Sequence, residues 1–438
     1  MPTLSLPDWL NRDLGFLFAG RGLRSLTQGY LAIIAPLYLA ELHYSAVQIG
    51  LLFTAGSAVS AVLAALIGVL ADRYGRKLFL VILALLTAVG GVVFAASGAF
   101  LVLLVAGAVS TVGRGGGAGS GGAWGPYYAA EQALLAEHSA DESRTAIFGA
   151  ISFIGVLTGA VGSLMAGLPS LLHATSGTTE ITGDRILFLI TVLFGVAMAV
   201  VMLPVHETRE VRRPVAHDTP KARHHLQPGT IRMILKFMVT NTANGLGYGL
   251  LGPILVYWFY RRYGVGSGGL AELFFVINLA TAPSYLFAAR LARRLGAVNT
   301  VTLTRGVSVV ILAVLPLMPT FFLAAVVYTV RMVTSTLGNP IRQSYLMGVI
   351  PREDRATAAG LSNLPSQVFA SFGPTMAGYM IQDLSLNLPI EVAAVFQALN
   401  TVLYFGFFRH IRPPEESVPH ATAPAPQPAA SRQSSVRD

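Results

Sequence analysis

Five arginines, Arg21, Arg24, Arg114, Arg305 and Arg331, stand inside runs of apolar residues. A guanidinium in such surroundings costs several kcal/mol unless something answers its charge. Its planar fork of donors fits a carboxylate or a phosphate group. The chain's own acids do not answer it by sequence position. Glu41 and Glu272 stand at one end of their runs, Asp13 and Glu131 near the other, and none falls in the middle of a run. The pattern predicts that the arginines meet an anion from outside the chain. Backbone carbonyls, water and neighbouring helices remain open as other partners. Arg305, nearer a run's end, is expected to snorkel. Gln28, Tyr30, Asn241, Asn244 and Tyr248 add hydrogen-bonding groups at related depths. Together with Arg24, Arg114 and Arg331 they form the candidate binding set, although Asn, Gln and Tyr also serve as interhelical glue.

Other chemistries fit less well. Residues 113–125, "GRGGGAGSGGAWG", contain a G-x-G-x-x-G string at Gly117, Gly119 and Gly122. A phosphate loop requires a strand before it, a helix N-terminus after it, and a Lys-Ser/Thr pair or a ribose-binding acid. None is present, so close helix packing is expected of these glycines, with a gating hinge as the second reading. His217, His224 and His225 lack acidic or cysteine partners at ligand spacing and read as a solvated basic loop. The absence of cysteine excludes disulfides and thiolate metal sites. No metal, cofactor or enzymatic nucleophile–base pair is expected.

These residues must be positioned by membrane-spanning helices. Of 438 residues, 53% are hydrophobic and 12% charged, with mean hydropathy +0.62. Soluble domains carry about 25% charged residues. Apolar runs recur at roughly the 20-residue length of a bilayer core. Twelve are predicted, over about 14–40, 46–70, 78–97, 100–128, 145–170, 185–204, 231–259, 269–290, 299–318, 320–347, 356–381 and 389–408. The net charge of +9 could suggest nucleic acid, but its placement argues against that partner. Outside the spans, Lys and Arg fall on one side except for Arg185, Arg261 and Arg262. That asymmetry predicts a multi-pass cell-membrane protein with both termini cytoplasmic. The N-terminus lacks a basic n-region and cleavage site, so the first span is expected to be retained.

Residues 206–230 form the longest hydrophilic interruption and divide the spans six and six. The expected organisation is a bundle over 1–205, a cytoplasmic loop over 206–230, a second bundle over 231–410 and a disordered tail over 411–438. "GVLADRYGRK" after the second span is echoed by "ARLARRLGAV" after the eighth. "GYLAIIAPLYL" is echoed by "YGLLGPILVYW", and Arg114 with "GPYY" by Arg331 with "GNPIR". Each pair lies roughly 220 residues apart, as an internally duplicated six-helix unit would place them.

"GVLADRYGRK", Gly68 to Lys77, matches at every key position the signature loop between spans two and three of the major facilitator superfamily, which the chain therefore resembles along nearly its whole length. The resemblance implies an all-α polytopic membrane protein, twelve transmembrane helices in two pseudo-symmetric six-helix bundles. It also implies a conformational latch of Gly68, Asp72, Arg73, Gly75 and Arg76, with Asp72 docking on the eleventh helix to hold the outward-open state. In the second copy Arg293 replaces the aspartate, so that latch is weaker or rebuilt. "FGPTMAG" in span eleven resembles half of the family's antiporter signature, which belongs to span five, so antiport does not follow from motif.

The resulting expectation is a non-enzymatic secondary transporter of a small organic solute, working by alternating access as a monomer in the lipid bilayer. Proton-coupled efflux of a polar or anionic substrate is favoured by Arg24. An organic-anion or sugar-type importer or facilitator is the alternative. A non-transporting receptor or scaffold with the same fold is the reading from another class.

Overall fold

A computed structural model describes residues 11–110, 112, 125–138, 144–207, 228–351 and 354–411. The described residues contain sixteen α-helices. The N-terminal half has α1 (Arg12–Glu41), α2 (Ala46–Tyr74), α3 (Arg76–Ala96), α4 (Phe100–Val109), α5 (Gly125–Glu137), α6 (Arg144–Met165), α7 (Leu168–Ser176) and α8 (Glu180–Met202). The C-terminal half has α9 (Pro228–Leu251), α10 (Ile254–Tyr263), α11 (Ser267–Thr281), α12 (Ser284–Leu295), α13 (Ala297–Val314), α14 (Phe321–Val349), α15 (Arg355–Tyr379) and α16 (Leu388–Phe408).

Helix runs through the described part of each of the twelve expected spans. Among the described residues, seven helical segments are by themselves long and apolar enough to cross a membrane. The others are charged, short or broken. Pro253 separates α9 from α10 and Pro283 separates α11 from α12. Proline lacks the N–H that would continue the ladder and clashes with the preceding turn. Starts are capped where a helix emerges. Ser45 and Gln48 form a reciprocal capping box on α2 (2.9 and 3.2 Å), and Asn11 accepts from the Leu14 N–H at 2.8 Å on α1. Leu101, Leu193, Val310, Phe322 and Val402 lie exposed on helix faces, where hydrocarbon chains would cover them.

The internal duplication is visible in the backbone. Gly75 joins α2 to α3 at φ +97°, and Gly296 joins α12 to α13 at φ +81°. Both turns demand a conformation that side-chain-bearing residues rarely adopt.

The apolar core divides unequally along the bundle. One end carries Asp13, Gly75 and His206 and is here called the basic end; the other, with Glu41, Ser45 and Thr179, is the distal end. At the distal end a single buried cluster draws on both halves, including Ile34, Tyr38, Phe53, Phe188, Trp258, Phe274 and Ile390. Toward the basic end there are two separate clusters. One contains only residues between Leu14 and Val205, the other only residues between Ile234 and Phe408. Hydrogen bonds across the halves tie the distal region. Thr375 meets Thr54 (Oγ1 to Oγ1, 2.8 Å), Ser170 meets Ser267 (2.7 Å), and Asn278 donates to Ser163 (3.2 Å). Gly50 lies against the backbone of Pro374, and Gly378 against that of Ala46, so α2 and α15 touch main chain to main chain. The halves are joined distally and keep separate cores toward the basic end.

Candidate functional site

Each half carries a buried polar cluster. In the N-terminal half, α1 presents Arg21, Arg24, Thr27 and Gln28, and α5 presents Tyr127, Tyr128 and Glu131. Arg21 donates to the Glu131 carboxylate at 2.8 Å, with both side chains buried. Arg24 lies over the Tyr127 ring at 4.8 Å, and Arg21 over Tyr128 at 5.1 Å. Arg24, Thr27, Gln28, Thr87, Tyr127 and Met198 line a small gap there. This corrects the expectation that no acid answers the membrane arginines. Glu131 is only 1% exposed and within electrostatic reach of both Arg21 and Arg24. The contact spans 110 residues of sequence, a pairing no local pattern reveals.

Tyr30, expected in the binding set, is fully buried, and its hydroxyl pairs with Thr191 of α8 at 2.7 Å. It fastens α1 to α8. Gln28 remains half-exposed at the gap. Arg114 and the glycine stretch around it lie outside the described residues.

The C-terminal half is built differently. Arg305 of α13 donates to Asn244 Oδ1 of α9 at 2.8 Å and to Asn339 Oδ1 of α14 at 3.2 Å. With its amide turned to satisfy both ends, Asn400 of α16 also accepts from Arg305 at 2.6 Å and donates to the Thr240 carbonyl at 3.0 Å. Arg305 is thus buried and netted by amides. It does not snorkel, because the face of α13 that carries it points at α9 and α14 and not at the membrane surface. Arg331 donates to Gln397 Oε1 at 3.2 Å and lies 5.5 Å from the Tyr328 ring. Arg342, absent from the sequence reading, donates to Asn241 Oδ1. Asn241 in turn donates to the Ser362 carbonyl at 2.6 Å, so it bridges α14 and α15. Tyr248 shares a 2.8 Å hydrogen bond with Ser335. Tyr248, Arg305, Ser308, Ser335, Gln397 and Asn400 surround a small gap of about 10 Å³.

At the basic end, the Gly75 turn is packed by Glu207, whose carboxylate accepts from the Arg76 N–H at 2.5 Å. The Arg76 guanidinium pairs with Glu137 at 3.2 Å. The placement of the Gly68, Asp72 and Arg73 side chains lies outside what is described. Asp13 accepts from the His206 N–H at 3.2 Å and sits 3.7 Å from His138. Its partial burial raises the carboxyl's pKa, but the hydrogen bonds from His206 and the charges of His206 and His138 outweigh this and hold it below the usual value. The Gly373-Pro374 pair of "FGPTMAG" abuts Gly249 and Gly50, a close-packing role for α15 in both directions.

Comparison with known proteins agrees with this architecture. The family profile described as Major Facilitator Superfamily matches residues 17–330 and 237–437. An uncharacterised membrane protein of Saccharomyces cerevisiae is 23% identical over 403 residues, covering 85% of this chain and 89% of its own. The fold is similar to that of a bacterial homologue of the iron transporter ferroportin in an inward-facing state. That pair has TM-score 0.69 and 15% identity, covering 90% of this chain and 98% of the other. It is also similar to a bacterial homologue of the human lysosomal transporter Spinster in an inward-facing and occupied conformation. There the TM-score is 0.68 and the identity 17%, over 90% and 96% of the two chains. A profile that spans nearly the whole chain, on an all-helical membrane fold of this kind, shows that the chain belongs to the major facilitator superfamily, a family of transporters and not of enzymes.

Proposed function

We propose that the protein is a proton-coupled secondary transporter that exports a small polar or anionic organic solute across a cell membrane by alternating access. The observation that carries this reading is the distribution of the core: one apolar cluster shared by both halves at the distal end, and two separate ones toward the basic end. Two halves so joined can rock against each other about their distal contact. The excess of Lys and Arg on one side supports a cytoplasmic basic end, with both termini there. The structure is then read as inward-facing. The candidate substrate contacts are Arg24 and Gln28 from one half and Asn244, Tyr248 and Arg331 from the other, with Arg114 retained by sequence position.

Glu131 supports the proton. It is a buried carboxyl beside Arg21 and Arg24, so its charge is set by whether a proton or a guanidinium answers it. The test is transport by purified protein in liposomes loaded with a pH-sensitive dye, challenged with small organic anions, polyols and cationic drugs. The reading predicts solute-dependent proton movement, abolished by Glu131→Gln, while that variant still exchanges solute without a gradient. Folded protein that moves no solute in either direction would contradict the proposal, as would a Glu131→Gln variant with unaltered proton movement.

A further inference from the structure

The two halves differ in how they balance buried positive charge. In the N-terminal half Arg21 is answered by Glu131 at 2.8 Å. In the C-terminal half Arg305, Arg331 and Arg342 have no carboxylate partner among the described residues. Their hydrogen bonds go to the neutral oxygens of Asn244, Asn339, Asn241 and Gln397, and to the Met332 sulfur. Amide oxygens satisfy the N–H geometry but leave three formal charges uncompensated. An uncompensated buried guanidinium is costly.

The donors left over point the same way. Arg305 Nε, Arg331 Nε and Gln397 Nε2 are buried and have no hydrogen-bond partner among the described residues. Each is an N–H donor. Arg305 is 8% exposed, Arg331 2% and Gln397 6%, so bulk water does not satisfy them. What is missing is an acceptor-rich, negatively charged group. Arg331 and Arg342 lie 11 positions apart on α14, about 16 Å by helix rise. Arg305 lies in electrostatic reach of Arg342, and all three reach the Tyr248 phenol. The guanidiniums therefore form a ladder along the bundle, with the gap beside Arg305 at its middle rung.

We propose that this gap is an oxyanion site that takes the carboxylate or phosphate group of the transported solute. Arg305 is the anchoring cation, Tyr248 and Gln397 are further hydrogen-bonding groups, and Arg342 and Arg331 draw the anion along the axis from either side. The proposal rests on the transport reading and narrows it: the substrate carries at least one full negative charge, and the charge is read by the C-terminal half. Arg24, close to Glu131, then contacts the remainder of the solute.

The test is binding, measured without any gradient so that it stands apart from transport. Purified full-length protein is melted with succinate, inorganic phosphate, dimethyl succinate and chloride, at constant ionic strength. Succinate, phosphate or both should raise the melting temperature in a saturable way, while the neutral diester and chloride should not. Arg305→Gln should weaken that binding at least tenfold, Arg305→Lys should retain part of it, and the exposed Arg261→Gln should leave it unchanged. If Arg305→Gln folds poorly, Tyr248→Phe provides the second reading, with an expected severalfold loss. No stabilisation by either oxyanion overturns the site, and so does an Arg305→Gln variant with wild-type affinity. Oxyanion binding with no flux in liposomes would retain the site and remove the transport reading. Flux of neutral solutes alone would do the reverse.

Discussion

Glu131 and Arg21 show what a pair of residues contributes at this depth. Taking away one partner of a buried ion pair leaves an uncompensated charge, at a cost of about 3–5 kcal/mol. Glu131→Gln should therefore unfold at markedly lower denaturant than wild type, and adding Arg21→Met should recover most of the loss. Equal stability of Glu131→Gln and wild type would show that the pair is hydrated and weak. Asp13 makes a milder, pH-dependent contribution. Its carboxyl is held below the usual value, so its stabilisation is present above the ordinary aspartate pKa of about 3.9 and is lost as pH falls through the folded value. The melting-temperature gap between wild type and Asp13→Asn should be open at pH 7 and close as pH is lowered through that range. A gap that stays open well below the ordinary aspartate range would contradict the assignment. The sequence located the membrane arginines by depth, which is additive along a helix. It could not give their azimuth or their partners, and for that reason Arg305 read as a snorkelling residue, Glu131 was placed near a run's end without its partner Arg21, and Arg342 went unnoticed.

Helices were the most legible level. Runs of roughly 20 apolar residues mark bilayer crossings directly, and the repeat of Gly75 at Gly296 follows from the echoed loop. The breaks at Pro253 and Pro283 were also written in the chain, although length alone merged α9 with α10 and α11 with α12. Contacts between helices were less legible, because glycine packs in any direction. Gly50 is a sensitive position: a Cβ there would fall 2.2 Å from the Pro374 carbonyl oxygen of the opposite half. Overpacking of this kind costs about 1–3 kcal/mol. The cost applies only while α2 and α15 touch, so Gly50→Ala should shift the conformational balance away from the distally closed state by roughly 5- to 150-fold. Spin-label distances across the distal end would report it. Gly249→Ala, which clashes with Ala370 inside the C-terminal half, should lower stability and leave those distances unchanged. If both variants behave alike, the α2–α15 contact is not the moving one.

At the scale of the whole molecule, the division of the core carries the account. Composition and the Gly68–Lys77 loop led to the family, but no one-dimensional pattern says which end of the bundle is closed. That follows from contacts hundreds of residues apart, such as Thr54 with Thr375. The family resemblance implies a latch at Asp72 that would hold the opposite, outward-open state; on that reading Asp72→Asn should increase the population of the distally closed form, and unchanged label accessibility at both ends would sink it.

The measurement that bears most directly on alternating access uses the Thr54–Thr375 contact, whose oxygens are 2.8 Å apart. The chain has no cysteine, so Thr54→Cys with Thr375→Cys introduces its only thiols. In liposomes, oxidation to the disulfide should stop solute flux, and reduction should restore it, because the distal side can no longer part. Flux through the oxidised protein at the reduced rate would mean that solute crosses without opening that end, and would contradict the account.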